Sequence, residues 1–379
     1  QGDKFGIGLR SDSTIMGYGI AARSIQVVLY GVMFAAAIGK CSCHLEAEKI
    51  DLFAQSEREF SMEMFKSMSS AQNSSNFVVS FPPVFQFLLS LSVVCQGQSK
   101  EEINKVLRTR GMLPRDVSEY LKTVSNQKLT SISESNNIFM DDDVQGRGTK
   151  RSSKNVDQLA KEGGSLSLQS HVELHSGWAS PFTATKEPVA FYLRDGSEVF
   201  VPVIMNTRPY VLKSVLSDGT TVLFLEMKDN SYKFGIVFNK ARGKFVDRLT
   251  ALKLNNALDS QSIVCARMLL PKLRISSHNN VTDTLLNLGM RGALKSSPNT
   301  ESSSGLRVGE VLQDTNIHLT EDGIGQAASS PSADSSECNN PEIFFVNQPF
   351  VFMLLNTRTG DLVYMGKVED PSQDIKQAL

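Results

Sequence analysis

Two periodicities divide the chain. Up to about residue 125 apolar residues recur at helical intervals; after Leu166 they alternate with polar ones. Phe53, Phe60, Met64 and Met68 share one face of a helix predicted over His44 to Met68, which the polar run Asn73-Ser-Ser-Asn76 stops. Phe77-Val-Val79 reads as a short buried strand. Val84 to Val94, apolar almost throughout and opened by Pro82-Pro83, reads as a helix buried on most sides. Gly97 ends it, and Ser99-Lys-Glu-Glu102 predicts a capping box that opens a helix over Glu101 to Arg108. Helix continues to Val124, and Ser131 to Met140 reads as a strand. The strands predicted beyond Leu166 are Ser170 to His175, Val199 to Met205, a hairpin of Thr221 to Leu225 with Phe234 to Phe238 around Asp229-Asn-Ser231, Ala266 to Pro271, and Leu273 to Ile275. A helix over Val281 to Leu288 ends at Gly289, and Val311 to Leu319, Ile343 to Val346, Phe350 to Leu355 and Leu362 to Met365 complete the set. Helices early and strands late predict an α+β fold.

One stretch breaks the pattern. Leu319 to Pro341 is small and polar, set between two strand-like segments. Fewer than forty residues follow it, too few to bury a core of their own, so it is a loop and not a domain linker. A structureless insertion of that length in a compact domain points to function.

With 39 basic and 40 acidic residues and a formal net charge of -1, no global field favours nucleic acid or an anionic membrane, so partners must be selected by local shape. The start of the chain adds a location. Arg23 precedes the fourteen-residue, mainly apolar run Ile25 to Ile38, and Ala35-Ala-Ala-Ile-Gly39 supplies the small residues a signal peptidase needs. That run is too short for a stable membrane anchor. Residues 1–43 are therefore expected to be a leader with a secretory signal, Met16 standing where its start belongs, and residues 44–379 the secreted, extracellular domain. Asn73-Ser-Ser75 and Asn280-Val-Thr282 are glycosylation acceptors in that compartment. Cys41, Cys43, Cys95, Cys265 and Cys338 fit no zinc spacing, and their odd number leaves at least one without an intramolecular partner.

Enzymatic motifs are weak. Gly323-Ile-Gly-Gln-Ala-Ala328 has the spacing of a dinucleotide fingerprint, but Ser329 to Asp334 opens no helix to meet a pyrophosphate. His171, Glu173 and His175 fall on one strand face without a fourth ligand, which reads as a wet face rather than a zinc site. Arg147, Lys150, Arg151 and Lys154 read as a solvated loop before a polyanion site. Asp141 to Asp143 sit in a turn without apolar cover, and neither a Gly-x-Ser-x-Gly elbow nor a paired Cys and His occurs. The residues predict a protein that is not an enzyme and uses no cofactor or metal.

Several ordered segments then point one way. Asn76-Phe-Val-Val-Ser80, Gly177-Trp-Ala-Ser-Pro-Phe182, Phe191 with Asp195-Gly-Ser-Glu-Val-Phe-Val-Pro202, Leu270-Pro-Lys-Leu-Arg-Ile275 and Leu288-Gly-Met290 come first. Glu321-Asp-Gly323, Asn347-Gln-Pro-Phe-Val-Phe352 and Tyr364-Met-Gly-Lys-Val-Glu-Asp-Pro371 follow, and together the set resembles the serpin family over about His44 to Pro371. The resemblance implies three β-sheets, a helical half, and an exposed reactive-centre loop, here 321–341, that serves as bait for an extracellular serine protease. Cleavage in such proteins lets the loop enter the main sheet as a strand and drags the acylated enzyme along. Aligning Gly323 and Pro341 with the family's anchors implies a reactive bond at Glu337-Cys338 and a hinge of Glu321, Gly323, Ile324, Ala327 and Ala328. The expected molecule is a monomer and a serine endopeptidase inhibitor; the alternative is a non-inhibitory serpin acting as carrier, binding partner or protease substrate.

Departures from the family's pattern are specific. Pro331 has no N–H to give a central strand, and Gln326 and Asp334 share the inward parity of Ile324, where an unpaired carboxylate is costly. Ile324 replaces a small hydroxyl residue. Phe81, Pro83, Ser170 and Gln313 stand where the family usually has Pro, Ser, Asn and His. The chain is also short between about 140 and 166, where a covering helix and an edge strand are expected to be partly lost.

Overall fold

The structure, a computed structural model, describes residues 48–72, 76–125, 131–141, 150–152, 164–239, 246, 249–294, 306–325 and 340–373. The chain divides into two compact units, Gln1–Leu52 and Phe53–Leu379, and all three sheets lie in the larger.

Four helices come first. The helix over residues 48–71 (α1) buries Phe53, Phe60, Met64, Phe65 and Met68, the face read from its periodicity. Helix α2 (Pro82–Val94) buries eight residues with Pro in its first turn, because a missing N–H costs nothing there. Helix α3 (Gly97–Val106) starts earlier than the capping box predicted and makes no side-chain cap. The residues of that box are used elsewhere: Glu102 Oε2 accepts from the backbone N–H of Gly292 (2.6 Å) and Ala293 (3.0 Å), and Ser99 Oγ donates to the Gly292 carbonyl at 3.4 Å. Tertiary demand for two donors outweighed a local cap. Helix α4 (Pro114–Ser125) follows.

The first strand, β1 (Phe77–Ser80), belongs to a nine-stranded sheet that includes β6 (Thr183–Ala184), β9 (Val203–Val215), β10 (Thr221–Glu226), β11 (Tyr232–Phe238), β12 (Ser262–Pro271), β16 (Glu342–Phe345), β17 (Phe350–Asn356) and β18 (Leu362–Val368). The hairpin expected around Asp229 is present, with Glu226 opposite Lys233. The strand predicted over Val199 to Met205 is two: Pro202 divides β8 (Glu198–Val201), which pairs β7 (Val189–Tyr192) as a separate ribbon, from β9. Phe200 on β8 is 65% exposed, whereas Val201, Val203 and Ile204 on either side of Pro202 are buried.

The seven-stranded sheet runs β3-β2-β4-β14-β15-β5, with β13 also on β14. Its members are β2 (Ile132–Asp141), β3 (Lys150–Ser152), β4 (Gly164–Leu174), β5 (Ser176–Gly177), β13 (Leu273–Asn280), β14 (Leu306–Leu319) and β15 (Gly323–Ile324). Between β2 and β4 only β3 lies among the described residues. From Gln169 the alternation that the sequence showed holds: Gln169 and His171 on β4 and His175 just beyond it are exposed, while Ser170, Val172 and Leu174 are buried. Helices α5 (Ala251–Asp259) and α6 (Val281–Asn287) complete the helical part. No helix among the described residues is long and apolar enough to cross a membrane.

Candidate functional site

Strands β4 and β14 pair directly and in parallel, from Leu306 beside Gly164 to Asn316 beside Glu173. Above that register the chain leaves Leu319, turns through Thr320 to Asp322, and re-enters as β15 between β14 and β5: Leu319 pairs Ile324, Ile324 pairs Ser176, and Gly323 pairs Gly177. Gly323 adopts φ +155°, and a Cβ there would collide with the Ser176 and Gly177 backbone, so only glycine fits. Ile324 is fully buried among the apolar side chains that include Trp178, Leu174 and Leu319. Its aliphatic side chain gains from this seat where a hydroxyl would not.

The turn is clamped from the Trp178 side. The indole Nε1 donates to the Thr320 carbonyl at 2.9 Å, the Trp178 amide to the Asp322 carbonyl at 3.1 Å, and the Phe182 amide to the Glu321 carbonyl at 2.9 Å. Phe182 and Phe234 pack on the indole with ring centroids 5.4 Å away. Lys272 Nζ lies 2.7 Å from the Glu321 carboxylate, and its hydrogen bond is the main cause holding that carboxyl below its usual range. Nothing in the sequence signalled this pair, since the two residues are distant in the chain.

Below the hinge, side chains join the two large sheets. Gln313, 1% exposed, spans β1: its Oε1 accepts from the Ser80 N–H and its Nε2 donates to the Ser80 carbonyl, both at 2.8 Å. Thr315 Oγ1 donates to the same Oε1 at 3.1 Å. Ser277 and Asn279 on β13 satisfy Val78 in the same way, at 2.9 and 2.8 Å. Ser170, wholly buried on β4, donates to Asn136 Oδ1 on β2 at 2.7 Å. Phe81 and Pro83 lie buried at the start of α2. The structure thus gathers Gln313 and Ser170 at the waist of the seven-stranded sheet.

On the outward face His171 and His175 flank Glu173, each Nε2 being 3.4 Å from one of its oxygens, and Asn316 Nδ2 donates to Glu173 at 3.1 Å. The Asn316 hydrogen bond is the first cause that lowers the Glu173 pKa. Among the described residues no group of three or more His, Cys, Asp or Glu is placed to hold a metal ion.

A family profile described as "Serpin (serine protease inhibitor)" matches residues 149–371. The chain belongs to the serpin family. Plasminogen activator inhibitor 1 of Neovison vison is 24% identical over 387 residues, covering 84% of this chain and 93% of that one. Thyroxine-binding globulin of Rattus norvegicus is 25% identical over 222 residues, 55% of this chain. The matches to that globulin and to serpin A9 of Mus musculus span only about half of the relatives, 52% and 51%. Human thyroxine-binding globulin superposes with a TM-score of 0.69 at 16% identity over 85% of this chain and 99% of its own. The native state of the thermophilic serpin tengpin gives 0.68 at 18%, covering 84% and 94%.

The fold is therefore the α+β serpin fold with three sheets. Of the expected hinge, Glu321, Gly323 and Ile324 are described and sit together at the top of the seven-stranded sheet, while Ala327 and Ala328, with Glu337 and Cys338 of the expected reactive bond, lie outside the described residues. Asn73 is also outside them. Asn280 is exposed at the end of β13, where its Oδ1 accepts from the Thr282 N–H at 3.1 Å and caps α6. Cys95 is a buried free thiol pushed up to about 11 by burial, and Cys265 is disulfide-bonded.

Proposed function

We propose that the protein is a secreted serpin that offers the loop over residues 321–341 to an extracellular serine endopeptidase, with Glu337-Cys338 as the bond attacked. The direct parallel pairing of β4 with β14 carries this reading. No strand stands between them beneath Ile324, which is the arrangement of a bait loop held outside the sheet and still able to be cut. The expected leader over 1–43 and the acceptor triplets at Asn73 and Asn280 support export. The family resemblance supports an inhibitory encounter, whereas the loop chemistry given next speaks against loop insertion.

A second reading, a non-inhibitory serpin that acts as carrier, binding partner or substrate, is favoured by particular residues. Pro331 cannot donate to a ladder, Asp334 would be carried inward, and Ile324 already occupies an apolar seat that a moving hinge must vacate. Relatives of both kinds occur, since one is named an inhibitor of plasminogen activator and another a thyroxine-binding globulin.

Incubation with a panel of serine endopeptidases, including one selective for glutamate, separates the readings. An SDS-stable complex means inhibition, cleavage without a complex means a substrate, and an uncut loop removes the proposal. Recovery from the culture medium with a mass that falls on glycosidase treatment tests export.

A further inference from the structure

Beneath the hinge the outward face of the seven-stranded sheet holds a cavity of about 220 Å³ between β4, β13 and β14. Its polar lining is Glu173, His175, Arg274, Ser276, Asn316 and His318, and Gly325 also borders it. Register explains the gathering: His318 lies opposite Arg274, Asn316 opposite Ser276 on one side and opposite Glu173 on the other. All six point outward because the intervening residues Leu174, Ile275 and Ile317 are committed to the core.

The charges in this cavity are unevenly used. Both oxygens of Glu173 are occupied, by Asn316 and by the flanking His171 and His175. The Arg274 guanidinium, by contrast, has no ion pair or hydrogen bond among the described residues, so its five donors are free. His318 feels that charge. Its pKa is lowered first by burial and then by Arg274 and Lys272, which marks a positive local potential. Ser276 adds a hydroxyl donor beside Arg274.

We propose that this cavity is a binding site for a tetrahedral oxyanion carried on a small polar body, a sugar phosphate or sulfate ester, held by Arg274, Ser276 and His318. A guanidinium binds such a group with two parallel hydrogen bonds. The volume equals that of about seven liquid waters, more than a bare ion needs, which leaves room for the attached body. Gly325, at φ +75°, approaches closely enough that a Cβ would lie 2.5 Å from His175 Nδ1 and from the Leu174 carbonyl. Occupancy therefore braces the residue that follows Ile324 and couples the site to the hinge. The site does not depend on the protease reading.

Burial and the nearby Arg274 and Lys272 lower the His318 pKa, so this ring becomes a cationic donor, and affinity rises, only as pH falls below the ordinary histidine range. The other ionisable groups around the site are Glu173 and His171 on β4, His175 just beyond it, Arg274 and His278 on β13, Asp314 on β14, and the Lys272–Glu321 pair beside the turn; His278 is tied to Asp314 at 2.7 Å. From β2 the residues opposite are Ser133 and Ser135, which do not titrate.

Calorimetric titration of the full chain with glucose 6-phosphate, glucose 6-sulfate, inorganic phosphate and inorganic sulfate tests the proposal at about pH 5 and about pH 8. Saturable binding of an ester, at least about tenfold tighter than the matching bare ion and about tenfold weaker at the higher pH, is expected. Arg274 is exposed, so Arg274→Ala should fold with an unchanged melting temperature yet lose binding about a hundredfold, and Arg274→Lys should recover part of it. The tighter ester identifies the anion. Absence of saturable binding by about 10 mM of every probe, or binding unaltered in Arg274→Ala, would overturn the site.

Discussion

Replacing Gln313 tests whether the waist of the seven-stranded sheet is held as described. In Gln313→Leu the volume is nearly kept, but the Ser80 N–H and carbonyl lose both partners at 2.8 Å in a place that is 1% exposed. Each buried backbone group left unpaired costs about 1–3 kcal/mol, so the loss is about 2–6 kcal/mol. That is a large part of the net stability of an ordinary domain. With an unfolding entropy of about 0.8 kcal/mol/K for 379 residues, it lowers the melting temperature by about 3–8 °C. Gln313→His restores most of the loss, because a neutral imidazole has one donor and one acceptor and can bridge the same two groups. The rescue should fade below about pH 6, where the ring loses its acceptor. Urea unfolding followed through Trp178, the single tryptophan, is the assay. A Leu variant within about 0.5 kcal/mol of the parent would show that Ser80 finds other partners and refute the reasoning.

Other expectations follow from single observations. Burial first, and then the Asp361 carboxyl, raise the pKa of Glu57 well above normal, and its Oε1 has no partner among the described residues. A raised pKa means that the fold prefers the protonated form, so this stability is complete in acid and lost as pH rises. Glu57→Gln should therefore match the parent near pH 4 and exceed it by about 1–3 kcal/mol near pH 8, and a difference independent of pH would contradict this. Cutting the loop should leave the melting temperature of the parent almost unchanged, whereas Pro331→Ser with Asp334→Ala should give a large rise on cutting; equal shifts in calorimetry would exonerate both residues. Non-reducing peptide mapping should join Cys265 to Cys338, because Ala266 pairs Glu342 and so brings the chain after Cys338 alongside β12; a link to Cys41 or Cys43 would disprove it.

Much of the fold was legible because burial follows period. The alternation of Gln169 to Leu174 and the helical spacing of Phe53 to Met68 both appear in the structure as core faces. The failures have physical causes. Ser99 and Glu102 look like a local cap but serve Gly292 and Ala293, about 190 residues away, and no local rule can see that demand. Pro202 divides a run whose composition reads as one strand. At the hinge, the glycine at 323 and the inward parity of Ile324 could be read, while the Trp178 indole on Thr320 and the Lys272–Glu321 pair depend on tertiary register. Gln313 was marked only by difference from the family, and its two bonds to Ser80 give that difference a meaning.

The most direct test of the account is the chemistry of the cut. Limited digestion of the full chain by a glutamate-selective serine endopeptidase, followed by reduction, alkylation and N-terminal sequencing of the small fragment, should yield alkylated Cys338 and then Asn-Asn-Pro341 as the new start. First cleavage outside residues 321–341, or resistance of that loop under conditions that cut an unfolded control, would contradict a bait loop with its bond at Glu337-Cys338.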